Sequence, residues 1–232
     1  MNSLEGKIAI VTGAKGGLGT FVTELFLRAG ATVIGASRSI QAADFDHPEF
    51  VAMPAELSSG EGARNLASDV VARFGRIDVL VQVMGGFAGG KSVAETEDAT
   101  FEKMLDLNYR AAFFITRAVL PQMRQQGGGR ILAVASRQAL EPAAMVGAYS
   151  ASKAALVSLI RTIALENKDR YISANTVLPG TMDTPGNRDW GSDADRASWV
   201  QPSQVAAILL HLASDAGAQI TGAAIPVYGK QV

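Results

Sequence analysis

Tyr149 and Lys153 are four residues apart, a spacing that places two side chains on the same face of a helix. A phenol ordinarily ionises near pH ~10, and an adjacent ammonium favours the phenolate, so we expect Lys153 to lower the pKa of Tyr149. Ser136, thirteen residues before Tyr149, ends the apolar run from Ile131 to Ala135, which places its hydroxyl at the end of a strand. Together the three side chains indicate a proton-transfer site, although an interface aromatic beside a solvated lysine would have the same spacing.

The composition restricts the class of protein. The chain has 232 residues, of which 48% are hydrophobic, and a formal net charge of −1, which suits one α/β domain over residues 1–232. A charge so close to zero gives no reason to expect a nucleic-acid partner or an anionic membrane surface. The absence of cysteine excludes thiolate chemistry, disulfides and cysteine metal sites, and is compatible with a reducing cytoplasm.

Metal binding, membrane insertion and export are likewise not expected. His47 precedes a proline in a predicted loop and His211 lies in a helical run, so we interpret both as structural and expect no metal. No apolar stretch reaches the ~20 residues needed to span a bilayer. Met1 to Gly6 is polar and lacks the pattern of a signal peptide, which favours a cytoplasmic protein.

Short apolar runs alternate with helical patterns along the chain. Runs such as Lys7 to Thr12 are nearly continuously apolar, as expected of strands buried on both faces of a parallel sheet. The alternation predicts a Rossmann-type, doubly wound parallel sheet of about seven strands, flanked by helices, in a single α/β domain. The predicted strands are Lys7 to Thr12, Ala31 to Ala36, Phe50 to Met53, one beginning with Asp78 to Val81, Arg130 to Ala135, Ile172 to Leu178 and Ala224 to Val227. The predicted helices are Thr20 to Ala29, Gly62 to Phe74, Ala99 to Gln125, Tyr149 to Asn167 and Pro202 to Ala213.

Glycines are concentrated where the first strand turns into the first helix. The segment Thr12 to Gly19 would let the backbone approach a pyrophosphate and would direct the helix N-terminus at it. We therefore predict cofactor contacts from Gly13, Gly17, Leu18 and Gly19. The alternative is a glycine-rich turn that only packs the helix on the strand.

The end of the second strand indicates which dinucleotide is bound. Ser37 and Arg38 stand where a carboxylate would hold a ribose 2′-hydroxyl, and Arg38 could instead pair with a 2′-phosphate. NADP is therefore favoured as the cofactor, and NAD is the alternative. Glu56 and Leu57, after the third strand, are assigned to the same site, where Glu56 would accept from the adenine amino group or be solvated.

A competing phosphate-binding motif follows the fourth strand. Gly85 to Ser92 matches the pattern GxxxxGK[ST] of ATPases and GTPases, which by itself predicts a P-loop NTPase. However, Val93 to Asp98 is acidic and loop-like where such a motif needs an apolar helix, and neither later apolar strand ends in an aspartate for magnesium. The NTPase is therefore the weaker alternative.

The motifs together resemble those of the short-chain dehydrogenase/reductase family over essentially the whole chain. The glycine turn follows the family's TGxxxGxG pattern, the tyrosine and lysine its YxxxK pattern, and the segment after the sixth strand its PGxxxT pattern. The residues at those positions are Thr12, Gly13, Gly17, Gly19, Tyr149, Lys153, Pro179, Gly180 and Thr184. Asn108 and Ser136 match the asparagine and serine of the family's active site.

The resemblance implies an NADP(H)-dependent oxidoreductase that transfers hydride between nicotinamide and a carbonyl or alcohol carbon. Tyr149 would be the general acid or base, and Ser136 would hydrogen-bond the reacting oxygen. Lys153 would lower the tyrosine pKa and hold the nicotinamide ribose, while Asn108 would hold a water that carries protons to Lys153. The further cofactor contacts expected are Gly85, Lys153, Pro179, Gly180, Met182 and Thr184.

Three features depart from the family pattern. Gln82 to Gly85 replaces NNAG, which loses two amides that brace the strand and the cofactor ribose. Val227 to Lys230 replaces VDGG, which puts the usual packing of the tail in doubt. Lys15 lies one position before the basic residue of several NADP-preferring members, so we do not count it as a phosphate ligand.

The substrate is the least determined part of the function. We expect a substrate loop at about residues 181–198, and a cleft wall that includes Phe87, Arg137, Gln138, Met145, Arg188 and Trp190. This wall suits a small or medium carbonyl compound, as in 3-oxoacyl reductases or small-ketone reductases. The arginines would bind an anionic group, be solvated, or pair with the aspartates of the loop. Family members often assemble through two long helices, which predicts a homodimer or homotetramer. The alternative function is that of a non-catalytic, NADP-binding sensor.

Overall fold

Seven strands form one sheet in the part of the chain that the computed structural model describes, residues 3–189, 192 and 196–231. The strands are β1 (Ile8–Thr12), β2 (Thr32–Ser37), β3 (Phe50–Pro54), β4 (Val79–Gln82), β5 (Gly129–Val134), β6 (Ile172–Pro179) and β7 (Ala224–Val227). All pairs are parallel, in the order β3-β2-β1-β4-β5-β6-β7. The predicted doubly wound sheet is confirmed, and its strand order reverses between β1 and β4, where such sheets bind ligands.

Helices cover both faces of the sheet. They are α1 (Gly19–Arg28), α2 (Gly60–Phe74), α3 (Asp98–Leu105), α4 (Ala111–Gln125), α5 (Gly147–Glu166), α6 (Pro185–Arg188) and α7 (Pro202–Ala213). Asp106 to Arg110 forms a π-helical turn that joins α3 to α4, where the sequence predicted one regular helix from Ala99 to Gln125. Such turns are frequent at functional sites, and this one carries Asn108.

Alternate side chains of the strands enter two separate cores. On β1, Ile8 and Ile10 belong to the core formed with α2, α4 and α5, whereas Ala9 and Val11 belong to the core formed with α1 and α7. Every residue of β1 and of β6 is buried. Burial on both faces explains why the strands read as nearly continuous apolar runs.

A hydrogen-bonded brace joins β1 to β4 at the edge where the strands end. Thr12 is fully buried, and its Oγ1 donates to Gln82 Oε1 at 2.8 Å and accepts from the backbone N–H groups of Val83 and Met84, both at 3.2 Å. Gln82 therefore braces the end of the strand. The replacement of the family's asparagines was expected to remove this support. The brace fixes the path of the chain into Gly85.

We predict that Thr12→Val lowers the free energy of unfolding by about 2–4 kcal/mol, because it leaves a buried amide oxygen and two N–H groups without partners. Thr116→Val is the matched control. Thr116 is similarly buried, but its Oγ1 has no partner among the described residues, so this change should cost less than about 0.5 kcal/mol. Urea unfolding followed by circular dichroism measures both variants, and equal losses would contradict the brace.

Candidate active site

The residues predicted to transfer protons lie together at the edge of the sheet where the strands end. Ser136 follows β5 and is buried, and Tyr149 and Lys153 lie near the start of α5. Lys153 Nζ donates to the carbonyl oxygen of Val134, the last residue of β5, at 2.9 Å. Ser136 and Tyr149 line the same cavity, and the serine hydroxyl is near enough to the phenol to act on its pKa. Strand β5 and helix α5 thus bring the serine, tyrosine and lysine together.

Asn108 approaches the same place from the π-helical turn. Its Oδ1 accepts from the backbone N–H of Gly86 at 2.9 Å, and its Nδ2 donates to Gly86 O at 3.0 Å. A Cβ atom at Gly85 would lie 2.7 Å from Asn108 Oδ1 and 3.1 Å from Lys153 Nζ, so any side chain there would press on both groups. Asn108 and Lys153 therefore flank the backbone of Gly85.

Ser152 is a site residue that the sequence analysis missed. It is fully buried, and its Oγ accepts from Asn108 Nδ2 at 3.1 Å and donates to the backbone oxygen of Tyr149 at 2.7 Å. Ser152 thereby ties the π-helical turn to α5 next to Lys153. The available signal was its position three residues after Tyr149, from which a serine hydroxyl reaches back to a helix carbonyl.

Burial dominates the ionisation of Lys153 and Tyr149. It lowers the pKa of Lys153 from 10.5 to about 8, since the acceptor of its ammonium, the Val134 carbonyl, is neutral. Burial also raises the pKa of Tyr149 above 10.0, and the hydrogen bond with Ser136 opposes this only in part. The expectation of a lowered pKa for Tyr149 is therefore wrong, because burial outweighs the other effects on the phenol, and the phenol is protonated at neutral pH.

A cavity of about 370 Å³, here called the central pocket, opens beside Tyr149. Its lining consists of Phe87, Ala135, Ser136, Gln138, Val146, Tyr149, Pro179, Gly180, Thr181, Met182, Asn187 and Trp199. Two of the predicted substrate residues, Phe87 and Gln138, are among these, and the Phe87 ring meets the Tyr149 ring edge-on with centroids 5.0 Å apart. Asn187 belongs to the predicted substrate loop but was not singled out, and Trp199, one residue beyond that loop, was missed.

The two arginines predicted for the cleft wall do not line the central pocket. Arg137 pairs with Glu141 at 2.7 Å and lies over the ring of Tyr228, while Arg188 pairs with Asp183 at 2.6 Å. Both guanidinium groups are thus neutralised by nearby carboxylates. For Arg188 the pairing with an aspartate of the loop is therefore observed, and contact of either arginine with substrate stays a prediction.

The predicted substrate loop is described at residues 181–189, 192 and 196–198. It contains the short helix α6 and a parallel bridge between Met182 and Val200. Trp190, predicted to contact substrate, lies outside the described residues. Met145, also predicted, lines a second cavity that adjoins the central pocket.

The C-terminal tail packs against the start and end of this loop. The side chain of Gln231 accepts from Thr181 N and donates to Thr181 O, both at 2.9 Å, and donates to Ser198 O at 3.3 Å. Tyr228 is only 9% exposed and belongs to the core. The tail is therefore packed despite its departure from the family pattern, and its own side chains hold the loop.

The glycine turn forms the floor of the region predicted to bind the cofactor. Gly13 has a φ of 66°, and a Cβ atom at Gly19 would collide with the carbonyl oxygen of Gly13, so the turn requires glycine at both positions. A Cβ atom at Gly17 would lie 2.9 Å from Thr184 Cβ, which shows that the segment after β6 closes over the turn. Leu18 is buried, so only its backbone faces this region.

A cleft of about 650 Å³ extends from the end of β2 toward Gly85. Its lining includes Ser37, Arg38, Glu56 and Leu57, all predicted to contact the cofactor. The Ser37 Oγ is buried without a hydrogen-bond partner among the described residues. Hydrogen bonds from Ser58 lower the pKa of the Glu56 carboxylate, and Arg38 lies near enough for its charge to lower that pKa further. A hydroxyl without a partner and a guanidinium in one cleft fit a phosphate group.

Glu56 and Lys15 have partners at this cleft. Glu56 Oε1 accepts from the backbone N–H of Ser58 at 3.0 Å and from its hydroxyl at 2.7 Å, so this oxygen is already engaged. Lys15, which the sequence analysis did not count, donates to Ser39 O at 2.6 Å and lies 3.2 Å from Asp44. Lys15 therefore bonds to the backbone of Ser39, the residue that follows Arg38.

The GxxxxGK[ST] match does not form a phosphate-binding loop. Lys91 pairs with Glu97 at 2.6 Å, and the Ser92 hydroxyl donates to Glu95 Oε2 at 2.6 Å. Only a short 3-10 turn, Val93–Glu95, follows the motif, so no long helix N-terminus is directed at it. The NTPase alternative is therefore not supported.

Within the described ranges, no three histidine, aspartate or glutamate side chains come together as a metal site. No helix among them has the length and apolar character needed to cross a membrane.

Comparison with known proteins places the fold and motifs in a family. A family model described as short chain dehydrogenase matches residues 7–195. The short-chain dehydrogenase/reductase cdmF of Talaromyces verruculosus is 32% identical, with 98% of this chain and 97% of that protein covered. The rhamnolipids biosynthesis 3-oxoacyl-(acyl-carrier-protein) reductase of Pseudomonas aeruginosa is 33% identical, with 98% and 96% covered.

Solved structures agree with these relatives. The 3-ketoacyl-(acyl-carrier-protein) reductase from Brucella melitensis, complexed with NADH, matches with a TM-score of 0.90 at 26% identity, covering 99% of this chain and 100% of that chain. These matches do not favour the sensor alternative, because the relatives are named as reductases and dehydrogenases. The chain therefore belongs to the short-chain dehydrogenase/reductase family of oxidoreductases, which bind NAD(P) and act on small molecules.

Proposed function

We propose that this protein reduces a carbonyl compound to an alcohol, or catalyses the reverse oxidation, with NADP(H) as its cofactor. The observation that carries the proposal is a pocket with Ser136 and Tyr149 in its wall, together with Gly180 to Met182 from the segment that reaches over the glycine turn. The proposed substrate class is a 3-oxoacyl compound or a small ketone. The names of the Pseudomonas aeruginosa and Brucella melitensis relatives support this class.

Tyr149 is the proposed general acid of the reduction. Because burial raises the pKa of its phenol, the hydroxyl keeps its proton at neutral pH and can donate it to the developing alkoxide oxygen. The Phe87 ring packs against the phenol and helps to exclude water from it. In the oxidation direction the same oxygen would accept the proton of the alcohol.

Ser136 is proposed to bind the reacting oxygen, and Gln138 competes for its proton. Ser136 Oγ donates to Gln138 Oε1 at 2.6 Å and accepts from the backbone N–H of Gln138 at 3.3 Å. An incoming carbonyl oxygen must therefore displace Gln138 Oε1 from the serine hydroxyl. Gln138 lines the same pocket, so its freed amide can bond to a second polar atom of the substrate.

Lys153 is proposed to hold the nicotinamide ribose and to return protons to the site. With a pKa of about 8, its ammonium is mostly protonated at neutral pH and can still release a proton. Asn108 Nδ2 is used by Gly86 O and Ser152 Oγ, and Oδ1 by Gly86 N. A proton-carrying water would therefore bind to the remaining lone pair of Oδ1, beside Gly85.

NADP is the proposed cofactor because of the cleft at the end of β2. NADPH would supply the hydride for the reduction. Its 2′-phosphate would satisfy the Ser37 hydroxyl, which has no partner among the described residues, and would pair with the Arg38 guanidinium. The glycine turn at the N-terminus of α1 suits the pyrophosphate, and Pro179 to Thr184 would cover the nicotinamide.

We also propose a homodimer or homotetramer in the cytoplasm. Phe101 on α3 is 44% exposed and Leu165 on α5 is 74% exposed, so the outer faces of these helices carry apolar groups that pairing would bury. The absence of cysteine supports a reducing compartment.

Tyr149→Phe tests the proposed acid. We expect kcat for reduction of a panel of ketones, aldehydes and 3-oxoacyl thioesters to fall by about 10²- to 10⁴-fold, because the proton donor is removed. The dissociation constant for NADPH, followed by its fluorescence, should change by less than about twofold. Tyr171→Phe is the matched control, since Tyr171 is 82% exposed and lies outside the central pocket. Persistent turnover in Tyr149→Phe would refute the assignment.

Arg38→Ala tests the cofactor preference. Loss of a charge-assisted bond to the 2′-phosphate should raise the dissociation constant for NADPH by about 10- to 100-fold and leave that for NADH within about threefold. Arg28→Ala is the control, because Arg28 is an exposed arginine on α1 that pairs with Glu24. Equal weakening of both cofactors would argue against a 2′-phosphate site.

The buried ammonium of Lys153 predicts a pH dependence of stability. Its folded-state pKa of about 8 lies below 10.5, so between these values the unfolded chain binds more protons and stability rises with pH. The difference between the free energies of unfolding of the wild type and of Lys153→Met should therefore increase by up to about 3 kcal/mol from pH 8 to 10.5. Denaturant unfolding at several pH values measures this, and a constant difference would contradict the buried cation.

A further inference from the structure

A second cavity of about 470 Å³, here called the side chamber, adjoins the central pocket. It lies between the segments Phe87 to Lys91 and Met145 to Ala148, with Thr96 and Thr100 at its border. Phe87 and Val146 line both cavities, so the side chamber begins where the pocket beside Tyr149 ends.

The two segments that form the chamber are held in place by the backbone. Gly90 N donates to Met145 O at 2.8 Å, which ties the segments together. Met145 has a φ of 65°, a left-handed conformation that costs a non-glycine residue energy and persists only where surrounding structure enforces it. A Cβ atom at Gly89 would lie 2.9 Å from Val146, so the segments pack closely. The walls of the chamber are therefore preformed.

The chamber is apolar, and its one cation is neutralised. Phe87 is 62% exposed and Met145 45% exposed, and both of these large apolar side chains line the same cavity, where together they form an apolar patch. Lys91 borders the chamber but pairs with Glu97 at 2.6 Å. The arginines near the central pocket are also paired with carboxylates. No unpaired charge is thus offered to a substrate by these residues.

We propose that the side chamber binds an apolar arm of an elongated, uncharged carbonyl substrate. The carbonyl would lie at Ser136 and Tyr149, and the arm would pass the exposed Phe87 ring into the chamber. The assignment of the chamber rests on the reduction site proposed above, since the arm must extend from a carbonyl held there. The substrate is then a medium-chain or bulky ketone or 3-oxoacyl derivative rather than a short or anionic one.

Chain-length selectivity tests the chamber. Reduction of ethyl 3-oxobutanoate and ethyl 3-oxodecanoate with NADPH gives the ratio of kcat/KM for the long over the short ester. We expect a wild-type ratio of about ten or more, because burying methylene groups adds affinity. Thr100→Phe fills the chamber and should lower the ratio by about tenfold, mainly through KM for the long ester.

Two matched variants control for the substitution itself. Ala94→Phe adds the same aromatic side chain at an exposed position outside the chamber, and Ala72→Phe does so at a second position outside it. Both should keep the wild-type ratio. Calorimetric titration of the wild type and Thr100→Phe with ethyl 3-oxodecanoate gives a second readout that does not depend on turnover, and the filled variant should bind about tenfold more weakly.

The outcomes separate the chamber from the reaction. If the wild type reduces both esters with a ratio near one, or if Thr100→Phe keeps the wild-type ratio, the proposed role of the side chamber is wrong. The proposed carbonyl reduction is then unaffected. Absence of turnover in the wild type, with binding of the long ester that Thr100→Phe weakens, overturns the reaction and supports the chamber. Absence of both turnover and binding overturns both.

Discussion

Lys153 carries an ammonium ion into the interior, with its side chain only 5% exposed, and the site is arranged around that cation. Burying a charge without a counter-ion is costly, and the protein lowers the cost through one hydrogen bond to Val134 O at the end of β5 and through a lowered pKa of about 8. A fold under selection for stability alone would place an apolar side chain there. Strongly shifted pKa values of this kind are typical of functional sites.

The scaffold fixes this cation from three directions. Strand β5 supplies the carbonyl, helix α5 supplies Tyr149 on the same face, and the π-helical turn supplies Asn108 across Gly85. Ser152 joins the last two, because it bonds to both Asn108 and the backbone of Tyr149. The extra residue of the π-helical turn therefore sets the direction of the Asn108 side chain, because a regular helix would rotate it away from α5.

The fold could be predicted from the sequence because the central strands are buried on both faces and the long helices on one, so their patterns differ in period and length. The site was predictable where a motif fixes a backbone shape, as at Gly13 and Gly19. It was not predictable where the outcome depends on which partner a side chain finds. Arg137 and Arg188, for example, pair with carboxylates that lie within a few residues of them. The π-helical turn was not predictable for another reason, since it leaves the apolar pattern of the sequence almost unchanged.

The ionisation of Tyr149 was mispredicted because spacing reveals a neighbour but not the burial of the pair. Burial opposes the charged form of both groups, so it raises the pKa of the phenol while it lowers that of the ammonium. Below a pH of about 8 both groups hold protons, which suits donation to a carbonyl oxygen. As the pH rises through that value, Lys153 loses its proton before Tyr149 does, because burial raises the pKa of the phenol while it lowers that of the ammonium.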